Sequence, residues 1–206
     1  MSVIIFDFDG TIADSRDYVI NYIAKEANRL PLSLQEKHDL YGLSIIGIAR
    51  RLDYPWWRLP SLFLKGREKM GRSMGHVKPF DGICEVIKKL HSEGHELFIV
   101  SSNSLRNIRS FLKHNHLREQ IVEVYGGIEI FGKAPIIREL LNDHSISLND
   151  AMSIGDEKRD LEAAKSVGIR TIAVSWGFAS MDDLIDTQPD AVANSPKELL
   201  QIINDL

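Results

Sequence analysis

An apolar run that ends in two carboxylates one residue apart constrains this chain more than any other feature. Val3-Ile4-Ile5-Phe6 is branched and aromatic, as a strand buried on both faces of a parallel sheet must be. It leads directly into Asp7-Phe8-Asp9-Gly10-Thr11. Burying the strand sets Asp7 and Asp9 at its carboxyl end, the edge at which open parallel sheets bind ligands. Asp7 stands between Phe6 and Phe8, so a role as a solvated turn residue fits it badly. A carboxylate buried there needs a cation or a proton. Gly10 lets the backbone turn sharply, and Thr11 offers a hydroxyl and an N–H to an anion. Asp14 or Ser15 reads as the N-cap of the next helix.

The next stretch is helical. Tyr18, Val19, Tyr22, Ile23, Ala27 and Leu30 recur at three- and four-residue intervals, and Pro31 ends the run. Further helices are predicted over residues 34–41, 44–52 and 61–76, with an aromatic, turn-rich connection at 54–60. No strand pattern occurs between Ser15 and Lys78. From Phe80 the rhythm becomes alternating. Helices are predicted from an Asp81 cap through His91, from Ser104 to His116, after Lys133, over 160–167 and from Pro196 to the end. Strands are predicted over 96–100, 121–125, 151–154, 170–174 and at 191–192. Strands and helices alternating in this way form right-handed βαβ units. The expected fold is therefore α/β, a Rossmann-like parallel sheet built from residues 1–14 and 79–206, with an all-helical cap inserted over 15–78.

A formal charge of −4 over 206 residues gives no reason to expect binding to nucleic acid or to an acidic membrane surface. No apolar run is long enough to span a bilayer, and no basic, apolar leader opens the chain. Cys84 is the single cysteine, so no internal disulfide forms; it reads as a structural thiol. These features point to a cytoplasmic protein.

Three more strand ends carry polar groups that the sheet gathers on the same edge. Ser101-Ser102-Asn103 follows Leu97-Phe98-Ile99-Val100. A serine here holds a phosphate oxygen or caps the following helix, and the pattern does not choose. Lys133 lies between a glycine-rich loop and a helix start, where a fixed ammonium neutralises phosphate; by composition alone it is a surface lysine. Gly155-Asp156-Glu157-Lys158-Arg159-Asp160 ends another apolar strand with two aspartates four apart, which face the same way if a helix begins between them. Sparse hard oxygen ligands of this kind suit Mg²⁺. Glu157 and Arg159 read as solvated.

The run Asp7-Phe8-Asp9-Gly10-Thr11-Ile12-Ala13-Asp14-Ser15 resembles the nucleophile motif of the haloacid dehalogenase-like hydrolases, and within them the phosphoglycolate-phosphatase-like branch. The resemblance implies a Rossmann-like core with a cap and catalysis through an aspartyl-phosphate. It implies Asp7 as nucleophile, Asp9 as the acid–base, and Ser101 rather than Ser102 as the side chain on phosphate, with Ser102 and Asn103 as backbone or substrate contacts. Lys133 would neutralise phosphate and nucleophile together, although the family's usual Lys-Pro is here Lys133-Ala134-Pro135. Mg²⁺ would be held by Asp7, the Asp9 carbonyl and Asp156, with Asp160 orienting the set, while Thr11 and nearby amides hold phosphate oxygens. An acid at position 9 argues for an ester leaving group rather than a halide. The expected activity is Mg²⁺-dependent hydrolysis of a small phosphorylated metabolite. The alternatives are a sugar-phosphate mutase of the same fold or a binding protein that has kept it. Between Arg50 and Lys78 the cap is basic, which suits a substrate with a second anionic group. Trp56 and Trp57 read as cap core. Neither substrate nor oligomeric state follows from the sequence.

Overall fold

The computed structural model describes residues 2–41, 43–62, 77–127 and 132–206. Strand β1 (Val3–Phe6) lies at the centre of a six-stranded parallel sheet with β4 (Glu96–Val100), β5 (Glu123–Tyr125), β6 (Ala151–Gly155), β7 (Arg170–Val174) and β8 (Ala191–Ala193), in the order β5-β4-β1-β6-β7-β8. Counted within this sheet alone, the order is 3-2-1-4-5-6, with β1 flanked by β4 and β6. The chain reverses its direction of winding at β1. The crevice beyond its carboxyl end is the place such sheets reserve for ligands.

Alternation along β1 divides the core. Ile4 and Phe6 join one apolar cluster, with Ile83, Val86, Ile87 and Leu90 of helix α4 (Ile83–Ser92), Ile108 and Phe111 of α5 (Leu105–His114), and Leu199 and Ile203 of α9 (Pro196–Asp205). Val3 and Ile5 face the other way, onto Ile137, Leu140 and Leu141 of α6 (Lys133–Asp143) and Ala164 of α7 (Lys158–Val167). Every residue of β1 is buried. This explains why its sequence is continuously apolar rather than alternating.

Helices α1 (Arg16–Glu26), α2 (Leu34–Leu40) and α3 (Ile45–Arg51) bury a separate cluster that includes Val19, Ile23, Leu40, Ile48 and Leu59. Phe178, from the loop after β7, also inserts into it. The chain leaves for these helices through β2 (Ala13–Asp14) and returns through β3 (Lys78–Pro79), and the two short strands pair antiparallel, Ala13 with Pro79 and Asp14 with Lys78. No sequence pattern announces this pairing. Two residues on each side are too few for alternation to register. The helix predicted over 61–76 falls, but for its first two residues, outside the described ones.

Several local expectations are corrected. Ser15 occupies the N-cap position of α1 without a side-chain cap bond, and Asp14 binds Arg16 instead, at 2.9 Å. Asp81 does not cap α4; Gly82 does so by position, at φ +84°. Trp56 and Trp57 are 43% and 66% exposed, so they are surface rather than core. Helix α8 (Met181–Ile185) is absent from the predicted elements. Among the described residues no helix is long and apolar enough to cross a membrane.

At the far edge of the sheet, Asp190 Oδ2 accepts from the N–H and the hydroxyl of Thr171, at 2.7 and 2.9 Å, and ties the start of β7 to the loop before β8. Burial pushes this carboxyl up, but the Thr171 bonds outweigh it and leave it below its ordinary value. A carboxyl so depressed stabilises the fold above its unfolded pKa, near ~4, and loses that contribution as pH falls through the lower folded value. Asp190→Asn is therefore expected to lower stability by ~1 kcal/mol at neutral pH. In urea titrations the gap from wild type should close on acidification; a gap that persists in acid would place its cause elsewhere.

Candidate functional site

Asp7 is the first residue beyond β1, and its N–H still bonds the carbonyl of Ile154 on β6 at 2.8 Å. The sheet ladder thus fixes its backbone, and its side chain is buried. Lys133, the first residue of α6, brings its ammonium to 2.7 Å from Asp7 Oδ1 and 2.7 Å from Asp160 Oδ1. Asp156 follows β6 directly. Helix α7 begins at Lys158, between Asp156 and Asp160, so the first turn points both carboxylates into the same space. Ligand oxygens of Asp7, Asp156 and Asp160 lie within 4.8 Å of one another, all three residues buried.

Three carboxylates against one ammonium leave the cluster short of positive charge. Burial pushes the Asp156 carboxyl well up, and Asp7 beside it adds to the effect. Burial likewise raises Asp7; Lys133 pulls it back, and Asp160 pushes it up again. Lys133 is held charged, because Asp160 and Asp7 overcome the desolvation that would lower it. A divalent cation fits this place: the donors are hard oxygens, they are clustered, and their excess negative charge is buried.

Close glycine contacts shape the same space. A Cβ on Gly10, at φ +86°, would lie 2.2 Å from Asp156 Oδ2, and one on Gly177 would lie 2.2 Å from Asp156 Cβ. Asp156 is also gripped by hydrogen bonds: Thr11 Oγ1 donates to Oδ1 at 2.9 Å and the N–H of Phe178 to Oδ2 at 2.8 Å. The Thr11 hydroxyl therefore turns to a carboxylate, not outward as an anion donor. Trp176 Nε1 donates to the Thr11 carbonyl at 3.1 Å. Sequence reasoning passes over Trp176-Gly177-Phe178, although they follow another buried strand.

Asp9 stands apart from the cluster. Its Oδ2 accepts from Asn103 Nδ2 at 2.9 Å. Burial raises its carboxyl, with the nearby Ser15 hydroxyl and the Asn103 amide opposing the rise. Ser101 is buried just past β4, and its Oγ accepts from the N–H of Asn103 at 3.0 Å while its own O–H remains a donor. Ser102 next to it is partly exposed. Glu157 and Arg159 are not solvated as expected: they form an ion pair on the first turn of α7. Burial pushes the Glu157 carboxyl up, and Arg159 opposes it. Asp7, Asp9, Ser101, Lys133, Asp156 and Asp160 thus lie at the carboxyl ends of β1, β4 and β6 and at the starts of α6 and α7.

The haloacid dehalogenase-like hydrolase family matches residues 4–174. A phosphoglycolate phosphatase from Synechococcus elongatus is 32% identical over 209 residues, covering 100% of this chain and 99% of that protein. A 5'-nucleotidase from Pseudomonas aeruginosa is 26% identical, covering 97% of this chain and 94% of its own length. The crystal structure of a predicted phosphatase from Clostridium acetobutylicum superposes with a TM-score of 0.81 at 22% identity, covering 100% of this chain and 99% of that one. With the parallel sheet, its ligand-binding edge and the buried acid cluster in place, the chain belongs to the haloacid dehalogenase-like hydrolases, in the branch of the phosphoglycolate phosphatases.

Proposed function

We propose that the chain is a Mg²⁺-dependent phosphatase that hydrolyses a small-molecule phosphate monoester through an aspartyl-phosphate on Asp7. One observation carries this reading: Asp7 and Asp160 share the Lys133 ammonium inside a buried acid cluster, while Asp9 stands outside it on its own amide donor. Such a division separates a nucleophile from an acid–base. Asp7 Oδ attacks phosphorus, and the bond to the ester oxygen breaks with its electron pair on that oxygen. Asp9 gives the leaving oxygen its proton. Asp9, now a carboxylate, takes a proton from the water that attacks the acyl phosphate, which releases phosphate and restores Asp7. Lys133 holds Asp7 in place and neutralises phosphate; Ser101 donates to a phosphate oxygen, with Ser102 beside it. Thr11 acts through Asp156, and the phosphate is left to the backbone N–H groups of this turn. Asp7, Asp156 and the Asp9 carbonyl, with Asp160 beside them, would hold Mg²⁺, which would supply positive charge for the transferring phosphoryl group.

The division of labour along the chain follows: residues 1–14 and 79–206 carry the chemistry, and residues 15–78 form a cap that closes over it. The paired β2 and β3 would be its hinge. The substrate is a small phosphorylated metabolite, with phosphoglycolate first to be tried because of the full-length relative. The basic residues between 50 and 78 that are described, Arg50, Arg51, Arg58 and Lys78, suit a second anionic group. Working on such a metabolite, the enzyme acts in the cytoplasm and without nucleic acid, and no described helix is long and apolar enough to span a membrane.

A panel of phosphoglycolate, nucleoside monophosphates and hexose phosphates, followed by phosphate release, tests this. Turnover is expected with Mg²⁺ and is expected to vanish in chelator. Saturating Mg²⁺ should also raise the melting temperature, since a ligand at a hundred times its Kd stabilises by ~2.7 kcal/mol. No phosphate release from any ester would overturn the reading, and isomerisation of a hexose phosphate without release would replace it with a mutase.

A further inference from the structure

Asn103 is held from every side. Its N–H donates to Ser101 Oγ at 3.0 Å, and its carbonyl accepts from the N–H of Gly127 at 2.6 Å. The residue is 5% exposed, and its side chain lies between two donors and one acceptor. Oδ1 accepts from the N–H of Ser104 at 2.8 Å and from Asn107 Nδ2 at 2.9 Å. Two donors meeting one atom identify that atom as oxygen, so the amide nitrogen has to face Asp9, to whose Oδ2 it donates at 2.9 Å. Asn107 is itself buried on the first turn of α5, whose N-cap is Ser104. The helix start therefore sets Asn107, Asn107 and Ser104 set Asn103, and Asn103 sets Asp9.

We propose that Asn103 is a positioning residue for the acid–base work of Asp9. By holding Oδ2 it stops the carboxyl from rotating and fixes the direction from which the ester oxygen takes its proton. This rests on the phosphatase reading above and adds to it the group that orders proton transfer. In the first step the phosphorus–oxygen bond breaks with its electrons on the ester oxygen, and the proton on the Asp9 carboxyl moves to it. The donor hydrogens of Asn103 stay on nitrogen throughout. An amide serves this purpose where a hydroxyl would not, because it donates to Asp9 on one side while accepting two bonds on the other.

The consequence is a dependence on the leaving group. Ester oxygens that depart as strongly basic alkoxides need the proton; those that depart as stable anions do not. The test measures kcat/KM, which ends at phosphoryl transfer to Asp7, for glycerol phosphate, phenyl phosphate and dinitrophenyl phosphate, in wild type, Asn103→Ala, Asn107→Ala and the double variant. Asn103→Ala is expected to lower kcat/KM about a hundredfold for glycerol phosphate and phenyl phosphate, and by no more than about threefold for dinitrophenyl phosphate. Asn107→Ala, which leaves Asn103 in place, should show the same pattern at smaller size, and the double variant should be no worse than Asn103→Ala alone. Mg²⁺ affinity should stay within about twofold in each, since Asn103 bonds the Asp9 carboxyl rather than the Asp9 carbonyl, and its other bonds run to Ser101, Ser104, Asn107 and Gly127 rather than to the Asp7–Asp156–Asp160 cluster. Equal loss across all three esters, no loss, or loss of Mg²⁺ affinity would overturn the role of Asn103 while leaving the phosphatase reading standing. A wild type that hydrolyses none of the esters would overturn that reading first, and this inference with it.

Discussion

Asp7→Asn is expected to reduce ester turnover by at least ~10⁴-fold, the scale on which loss of a covalent nucleophile is felt. The replacement is nearly isosteric, so Lys133 keeps its bond to Asp160 and phosphate can still enter. What disappears is the oxygen nucleophile, because an amide oxygen does not form a stable acyl phosphate. Stability separates this loss from misfolding. Burial raises the Asp7 carboxyl, Lys133 opposes the rise, and the neighbouring Asp160 and Asp9 charges add to it. In chelator at neutral pH the charged Asp7 therefore carries a penalty that a neutral amide in its place would not. The variant should melt at or above the wild-type temperature in chelator, while showing a smaller gain on adding Mg²⁺. Rapid quench with labelled ester should trap phosphorylated wild type and none of the variant. Turnover within tenfold of wild type would end the covalent mechanism.

How far this can be read from sequence depends on the scale of the signal. The strands β1, β4, β6 and β7 are buried on both faces and announce themselves as apolar runs, and the polar residue that ends each one is then visible against its neighbours. Asp7, Ser101 and Asp156 are legible for this reason, and the four-residue spacing places Asp160 with Asp156. Lys133 is less so: only the position of a helix start separates a buried lysine from a solvated one. What escapes depends on contacts between distant segments. Thr11 reads as an anion donor because its partner, Asp156, lies 145 residues away. Asn103 looks like one polar residue among three, and its orientation exists only once Asn107 and Asp9 are placed. Composition makes Asp81 a cap, but the backbone turns at Gly82 with positive φ and puts Asp81 before the cap. Size alone sends Trp56 and Trp57 to the core. They lie against each other edge to face on the surface, with Arg50 over the Trp56 ring, and a paired aromatic surface of this kind leaves no mark in periodicity.

Gly177→Ala should show how tightly Asp156 is enclosed. The substitution adds one methyl group, yet that carbon would lie 2.2 Å from Asp156 Cβ and 2.2 Å from its Oδ2, inside any tolerable contact. Asp156 cannot yield toward β1, because Gly10 approaches from that side with equal closeness. Nor is the loop free to retreat. Trp176 is bonded to the Thr11 carbonyl and packed on Phe80, and the Phe178 ring is buried among the helices of residues 15–62 while its N–H holds Asp156. Relief has to come from moving the carboxylate, the Phe178 N–H or both. Overpacking of this kind destabilises by ~1–3 kcal/mol. Disturbing a group that orients a metal ligand weakens binding by ~10–100-fold. Both effects should appear together, as a lowered melting temperature in chelator and a weaker Kd for Mn²⁺ or Mg²⁺ in titration calorimetry. Gly94→Ala is the control: Gly94 has φ +89° but nothing within 4 Å of an added Cβ, so it should lose only the ~1 kcal/mol of a left-handed alanine and bind metal as wild type does. If Gly177→Ala also bound metal as wild type does, Asp156 would not be the ligand around which this loop is built. If the two variants differed only in stability, the close approach would be a packing feature with no bearing on the cation.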